Sequence, residues 1–128
     1  IKVGLVRKIL TRGISIGEKG VTGKARNIKI NSDLSLISPG EILFVPKNLL
    51  EKLPFSKNIA GIVTDETVDE CYKIFKKNNI KVSSICNLAS IENHVSNGDL
   101  ITLQLNEGVI YKGQIEDDEN ALDKYKYV

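Results

Sequence analysis

The chain has 128 residues, which is enough for one domain with a sizeable core. Its 41% hydrophobic and 27% charged residues are typical of a soluble globular protein, and the low aromatic content predicts a core of Ile, Val and Leu. A formal net charge of +2 without a basic, aromatic-lined face excludes nucleic acid as an expected partner. No apolar run approaches the ~20 residues of a membrane span, so we expect no membrane contact and a cytoplasmic location.

Glycines separate Val- and Ile-rich runs in the N-terminal part, which favours bends between short strands over a helix. We predict three strands there, with turns at Gly13, Gly17–Gly20 and Gly23. These glycines do not form a phosphate-binding P-loop, because the Lys-Ser/Thr that completes that motif is missing. Ser38-Pro39-Gly40 predicts another turn, and the apolar run over 41–46 predicts the next strand.

The central part predicts a strand–helix–strand unit. Residues 47–54 fit a helix of about two turns that ends at Pro54. Residues 59–65 are almost wholly apolar, as in a strand that is covered on both faces. Thr67 and Glu70 then form the T-x-x-E pattern of a capping box. The apolar residues that follow recur on one helical face: Val68, Cys71, Tyr72 and Phe75.

That helix is predicted to end at Asn78-Asn79, before a strand over 80–86. Short connections then make residues 59–86 a βαβ unit with two parallel strands. We predict a short helix and turn over 88–99, and a β-hairpin over 99–113. The acidic tail, 114–128, is predicted to fray or to end in a weak helix. The fold class is therefore α/β, in one domain.

The cysteines and the single histidine do not predict a metal site. Cys71, Cys86 and His94 lack the spacing of metal ligands. Two reduced, partly buried thiols are the favoured interpretation of the cysteines, and a disulfide between them remains open. His94 has no visible partner, so we predict a surface histidine.

Four segments in this order resemble one family: GKARNI, SPGEILFVPKN, IAGIVTDE and NGDLITLQLNEGVIYKG. They are similar to the phosphohistidine swivelling domain of phosphoenolpyruvate-utilising enzymes, over roughly residues 12–113. That family includes pyruvate phosphate dikinase, phosphoenolpyruvate synthase and enzyme I of the sugar phosphotransferase system, and some bacterial pyruvate kinases carry the module at the C-terminus. The resemblance implies a three-layer β/β/α fold. IKVGLV also resembles the strand that ends the main part of a pyruvate kinase, so 1–11 is predicted as a terminal strand of a preceding domain.

The resemblance also implies a mechanism, in which a histidine after the VTDE strand is phosphorylated and the domain swings between two active sites. The free N–H groups and the dipole of a helix start would hold the phosphate there. In this chain Glu70 falls at the position of the histidine, and the family's Gly-Gly pair is absent. An acyl phosphate on Glu70 would need a metal and cationic neighbours, so we expect no catalytic residue and no cofactor. The candidate residues of the former transfer face are Thr64, Asp65, Glu66, Thr67, Asp69 and Glu70.

Three hypotheses follow. The first is a non-catalytic swivelling-type domain, structural or regulatory, that docks on the remainder of a pyruvate kinase and assembles through it. The parent enzyme would be a phosphotransferase that converts phosphoenolpyruvate and ADP to pyruvate and ATP. The second hypothesis is an active phosphotransfer domain of a synthase- or dikinase-like enzyme with a displaced nucleophile. The third is a free-standing module that binds a small molecule.

Overall fold

A computed structural model describes residues 9–91 and 94–113 of the chain. One α-helix, α1, covers Val68–Lys77, and two 3-10 helices cover Asn31–Leu36 and Lys47–Lys52. The strands in chain order are β1 Ile9–Arg12, β2 Ile14–Ile16, β3 Val21–Asn27, β4 Ile42–Val45, β5 Gly61–Thr64, β6 Ser84–Cys86, β7 Leu100–Gln104 and β8 Val109–Lys112. The predicted tail and the first eight residues lie outside the described ranges.

The eight strands form one mixed sheet in the order β1-β8-β7-β3-β4-β5-β6-β2. Strands β3, β4, β5 and β6 are parallel neighbours, and the remaining pairs are antiparallel. The predicted βαβ unit is confirmed, since β5 and β6 pair in parallel with Val63 opposite Ile85. The predicted hairpin is also confirmed, with Gln104 opposite Val109 and a turn at Gly108.

The sheet returns on itself at Gly13. Strands β1 and β2 stand at opposite ends of the strand order, yet only Gly13 separates them in the chain. The Gly13 N–H donates to the Gly108 carbonyl oxygen at 2.9 Å. A Cβ at Gly13 would collide with the backbone carbonyl oxygen of Cys86, so only glycine fits this junction.

Two apolar clusters fill the two faces of the central strands. On β4, Leu43 and Val45 belong to the cluster under α1, whereas Ile42 and Phe44 belong to the cluster shared with β7 and β8. This division follows from the alternation of side chains along a strand. All four residues are buried, as the uninterrupted apolar run predicts for a strand covered on both faces.

One local prediction in the first half of the chain is wrong, and another is confirmed with a different helix type. Gly23 lies inside β3 and not in a turn; a Cβ there would stand 2.8 Å from the Gly40 carbonyl oxygen, so glycine allows a close backbone approach. The predicted helix of about two turns over 47–54 is confirmed, as a 3-10 helix over Lys47–Lys52, whose short length suits the tighter hydrogen bonds of that form. The 3-10 helix over Asn31–Leu36 was not predicted at all.

The predicted helix in 88–99 is also wrong for the part of this segment that the structure describes. Leu88, Ile91 and Val95 do share an apolar cluster, but irregular backbone delivers them to it. The Leu88 N–H donates to the Thr64 carbonyl oxygen at 3.3 Å, which holds the segment against the sheet. The predicted turn at Asn97-Gly98 is confirmed, with Gly98 at φ +89°.

Candidate functional site at the start of helix α1

The end of β5 and the start of α1 form a compact hydrogen-bonded junction. Thr64 is fully buried, and its hydroxyl accepts from the Glu66 N–H at 3.2 Å. Thr67 is the N-cap of α1, and its hydroxyl oxygen accepts from the Glu70 N–H at 3.3 Å. The predicted capping box is therefore correct for the contact from the Glu70 N–H to the Thr67 side chain. This contact satisfies one of the N–H groups that a helix start leaves free.

The other half of the predicted capping box involves a different glutamate. The Thr67 N–H donates to the carboxylate of Glu66 at 2.8 Å, so Glu66 takes the part that the T-x-x-E pattern gives to Glu70. The Glu70 carboxylate instead accepts from the Lys73 ammonium at 3.0 Å. This exposed pair raises the pKa of Lys73, chiefly through that hydrogen bond.

Asn87 is a site residue that the sequence analysis missed. Its side-chain oxygen accepts from the Val68 N–H at 3.0 Å, and its own N–H donates to the Glu66 carbonyl oxygen at 2.8 Å. Asn87 has φ +60°, a left-handed conformation that asparagine tolerates better than most residues. An Asn directly after a predicted strand was the available signal. Asn87 and Thr67 thus occupy two N–H groups that would otherwise face a bound anion.

Negative charge surrounds this helix start. Asp69 and Glu70 lie in the first turn of α1, where they interact favourably with the helix dipole. Glu66 adds a third carboxylate beside Thr67. These groups stabilise the helix, and they repel a phosphate that approaches the same N–H groups.

Asp65 has a different partner from the rest of the predicted face. Its carboxylate accepts from the Lys47 N–H at 2.8 Å, which joins the end of β5 to a 3-10 helix. Asp65 also lines a small cleft of about 330 Å³ together with Lys29, Asn48 and Ser90. The structure therefore brings Thr64, Glu66, Thr67 and Glu70 into one hydrogen-bonded junction and leaves Asp65 at its border.

His94 lies in a separate, polar cleft of about 670 Å³. Its Nε2 is 2.7 Å from the Ser90 carbonyl oxygen, and the side chain is half-buried. Asn27, at the end of β3, and Lys112, at the end of β8, line the same cleft. Because β3 and β5 run parallel, this cleft and the start of α1 lie at the same end of the strands.

Cys71 and Cys86 are free, fully buried thiols, and not partly buried ones as expected. Their sulfur atoms are 3.3 Å apart, within the range of a thiol–thiol hydrogen bond. This hydrogen bond and burial raise the pKa of Cys71, and the carboxylates of Glu66 and Glu70 act in the same direction. A protonated, enclosed thiol is a poor nucleophile.

We therefore expect the two thiols to react with a disulfide reagent about 100-fold more slowly in the folded chain than in denaturant. Thiol titration with and without guanidinium measures this difference. The Cys71→Ser variant should release one thiol in denaturant where the parent chain releases two. Titration of no thiol in denatured parent chain would mean that a disulfide has formed.

Within the described ranges, no three His, Cys, Asp or Glu side chains are grouped so as to hold a metal ion. None of the helices described there is long and apolar enough to span a membrane.

Comparison with known proteins confirms the expected kinship with phosphoenolpyruvate-utilising enzymes. The chain is 29% identical over 115 residues to "Pyruvate kinase 2" of Synechocystis, which covers 90% of this chain and 20% of the relative. It is 26% identical over 112 residues to "Probable phosphoenolpyruvate synthase" of Archaeoglobus fulgidus, covering 88% of this chain and 15% of the relative. These homologues, each matched over only a small part, are consistent with a mobile domain of such enzymes. No family model matches the chain.

Comparison with solved structures shows similarity of fold only. The microcin C7 self immunity protein MccF superposes with a TM-score of 0.58 at 12% identity, covering 80% of this chain and 41% of that protein. A second MccF structure, in complex with glutamyl sulfamoyl guanosine, gives the same TM-score and coverage. At this identity the similarity concerns the arrangement of strands and helices only.

Proposed function

We propose that this chain is a mobile-type domain of a larger phosphoenolpyruvate-utilising enzyme, of the pyruvate kinase kind, and that it has lost the phosphoryl-carrying residue. The matches support this context, since the chain spans a fifth or less of the curated relatives and nearly all of it is matched. Pyruvate kinase and phosphoenolpyruvate synthase share this segment, as expected of a module carried by both kinds of enzyme. A cytoplasmic location follows from the same context.

The start of α1 is the observation that carries the proposal. Glu70 stands third in the helix, at the position that the resemblance gives to the phosphorylated histidine. The Val68 and Glu70 N–H groups already bond to Asn87 and Thr67. A helix start with filled N–H groups and three nearby carboxylates is suited to stability and not to holding a phosphate. The chain alone is therefore non-catalytic in this proposal.

The layering of the sheet supports the same family. One apolar cluster contains Cys71, Ile74 and Phe75 of α1, and the other contains side chains of β7 and β8. A parallel layer between a helix and an antiparallel layer is the β/β/α order of the swivelling domain. Leu103 of β7 lies close to Gly61 of β5, although two strands, β3 and β4, separate β7 from β5 in the sheet order, as expected if the antiparallel part folds over the parallel part.

The role that we assign to the domain is docking on the remainder of its parent enzyme, with a structural or regulatory effect. The described chain begins with Ile9 in β1 and ends with Gly113 after β8, and both residues lie at the strand ends that also carry the start of α1. The former transfer face lies at this same end of the strands, and in this proposal it becomes a contact with the parent.

The alternative is an active phosphotransfer domain with a displaced nucleophile, and His94 is the residue that favours it. His94 lies in a polar cleft at the same strand ends, with Lys29 and Lys112 among the lining side chains. Its Nε2 is engaged by the Ser90 carbonyl oxygen, which leaves Nδ1 as the nitrogen available for chemistry.

The test is labelling of the complete polypeptide with radioactive phosphoenolpyruvate. We expect no label that survives denaturation, because Glu70 replaces the carrier histidine. An active phosphoenolpyruvate synthase, labelled in parallel, serves as the positive control. Label on this polypeptide that is stable to alkali, labile to acid and absent from the His94→Ala variant would replace the proposal by the alternative.

A further inference from the structure

A groove runs along the second half of α1, away from the former transfer face. It has a volume of about 720 Å³ and lies between α1 and residues 79–83, with Ile16 and Gly17 on the other side. Phe75, Ile80 and Val82 supply an apolar floor, and Tyr72 stands beside them with 54% of its surface exposed. We call this surface the α1 groove.

The floor of the α1 groove is rigidly held. Phe75 packs edge to face against Phe55, with ring centroids 6.4 Å apart. The Ile80 N–H donates to the Phe75 carbonyl oxygen at 2.9 Å, and Asn79 takes a left-handed φ of +53°, so the chain reverses sharply after the helix. A preorganised apolar surface of this kind binds a partner with little loss of conformational entropy.

The rim of the α1 groove is positively charged. Lys76 and Lys81 line it, both are exposed, and none of its lining side chains among residues 9–91 and 94–113 is acidic. The ion pairs within the described ranges, Arg26–Glu41 and Lys73–Glu70, do not include these two lysines. Two copies of the chain that met groove to groove would bring like charges together, which disfavours a second copy as the occupant.

We propose that the α1 groove binds a segment of the parent enzyme outside these 128 residues, with an apolar side chain over Tyr72 and Phe75 and carboxylates opposite Lys76 and Lys81. An aromatic side chain within an apolar patch, surrounded by charge, is the usual composition of a docking site. This inference rests on the proposed function, because it requires a larger enzyme. It adds a second contact surface, at the far end of α1 from the helix start.

The test is zero-length carbodiimide cross-linking of the complete polypeptide, followed by mass spectrometry. This reagent joins a lysine amine to a carboxylate in direct contact. We expect Lys76 or Lys81 to be linked to an Asp or Glu outside the 128 residues. The Lys76→Arg/Lys81→Arg double variant keeps the charge and should lose these links. Links to carboxylates of residues 114–128 or of a second copy, or no link at these lysines, would overturn the proposal.

Hydrogen exchange provides a second measurement on the same polypeptide. Tyr72→Asp should accelerate exchange in residues 72–83 by about tenfold, because the docked segment is released. Leu36→Asp is the matched control, since Leu36 is equally exposed at 55% and lies outside the groove. Equal exchange in both variants would contradict docking. Phosphate labelling at a histidine would instead defeat the proposed function, whatever the cross-links show, so the two failures are distinguishable.

Discussion

Replacement of Gly13 by alanine is expected to destabilise the folded chain by about 3 kcal/mol or more, one of the largest effects of a single methyl group in this fold. The added Cβ would meet the Cys86 carbonyl oxygen, Ile85 Cγ2 at 2.7 Å and Leu88 Cδ1 at 2.8 Å. A carbonyl oxygen of a buried strand cannot move without disturbing the β2–β6 pairing. Urea denaturation followed by circular dichroism measures the loss.

Gly98→Ala is the control for this substitution. Gly98 has φ +89° and no atom within 4 Å of an added Cβ, so its cost is limited to backbone strain of about 1 kcal/mol. A Gly13→Ala variant as stable as Gly98→Ala would show that the sheet does not close tightly at Gly13. The comparison separates steric closure from the general loss of glycine.

The regular core of this fold was predictable from local patterns. The apolar runs that became β4 and β5 contain no polar residue before Thr64, and a strand of that kind has to be covered on both faces. The helix between β5 and β6 was predictable because its apolar residues recur with helical period and Thr67 precedes them. The hairpin was predictable from alternation on both sides of a Gly-containing turn.

The errors arose where distant backbone decides the conformation. Gly23 has the local signal of a turn, but position 23 requires glycine because a larger residue would clash with the Gly40 carbonyl oxygen, which is distant in the sequence. The helical spacing of Leu88, Ile91 and Val95 matched a helix by coincidence, because tertiary contacts with the core override weak local preference. The closure of the sheet at Gly13 likewise could not be predicted from the local sequence, because it depends on β6 and β8, which lie far along the chain.

The sequence predicted where the candidate site lies, but it did not predict all of the residues that form it. The pattern after β5 gave Thr67 as the cap, and the structure agrees. Glu66 as the partner of the Thr67 N–H and Asn87 as the partner of the Val68 N–H depend on how the loop after β6 crosses the helix start. No spacing along the chain encodes that crossing, since the two residues lie on different loops.

Replacement of Glu41 is expected to cause the second large loss of stability, because Glu41 forms a nearly buried ion pair with Arg26. The carboxylate is in a residue only 7% exposed, and it accepts from Arg26 Nε at 3.1 Å, from Arg26 Nη2 at 2.9 Å and from the Ser38 N–H at 2.6 Å. Glu41→Gln would leave the guanidinium without its partner charge. We expect a loss of about 2 kcal/mol at neutral pH, below the full penalty for a buried pair because Arg26 remains partly exposed.

This loss should depend on pH in a defined direction. Burial by itself would raise the pKa of Glu41, but the Arg26 guanidinium and the Ser38 N–H outweigh it and hold the pKa below its ordinary value. A carboxylate with a lowered folded-state pKa stabilises the fold above its unfolded pKa of about 4.3, and that stabilisation is lost as the pH falls through the folded value. The difference in unfolding free energy between the parent chain and Glu41→Gln should therefore be constant from pH 7 to about pH 5 and shrink towards pH 2.

Because Asp33 also has a lowered pKa, caused by hydrogen bonds from the Lys29 and Ile30 N–H groups, the measurement has to be this difference between variants and not the acid sensitivity of one chain. The exposed Glu51→Gln is the charge-matched control and should cost little at any pH. A difference for Glu41→Gln that stays the same at pH 7 and pH 2.5 would mean that the ion pair does not contribute to folding stability.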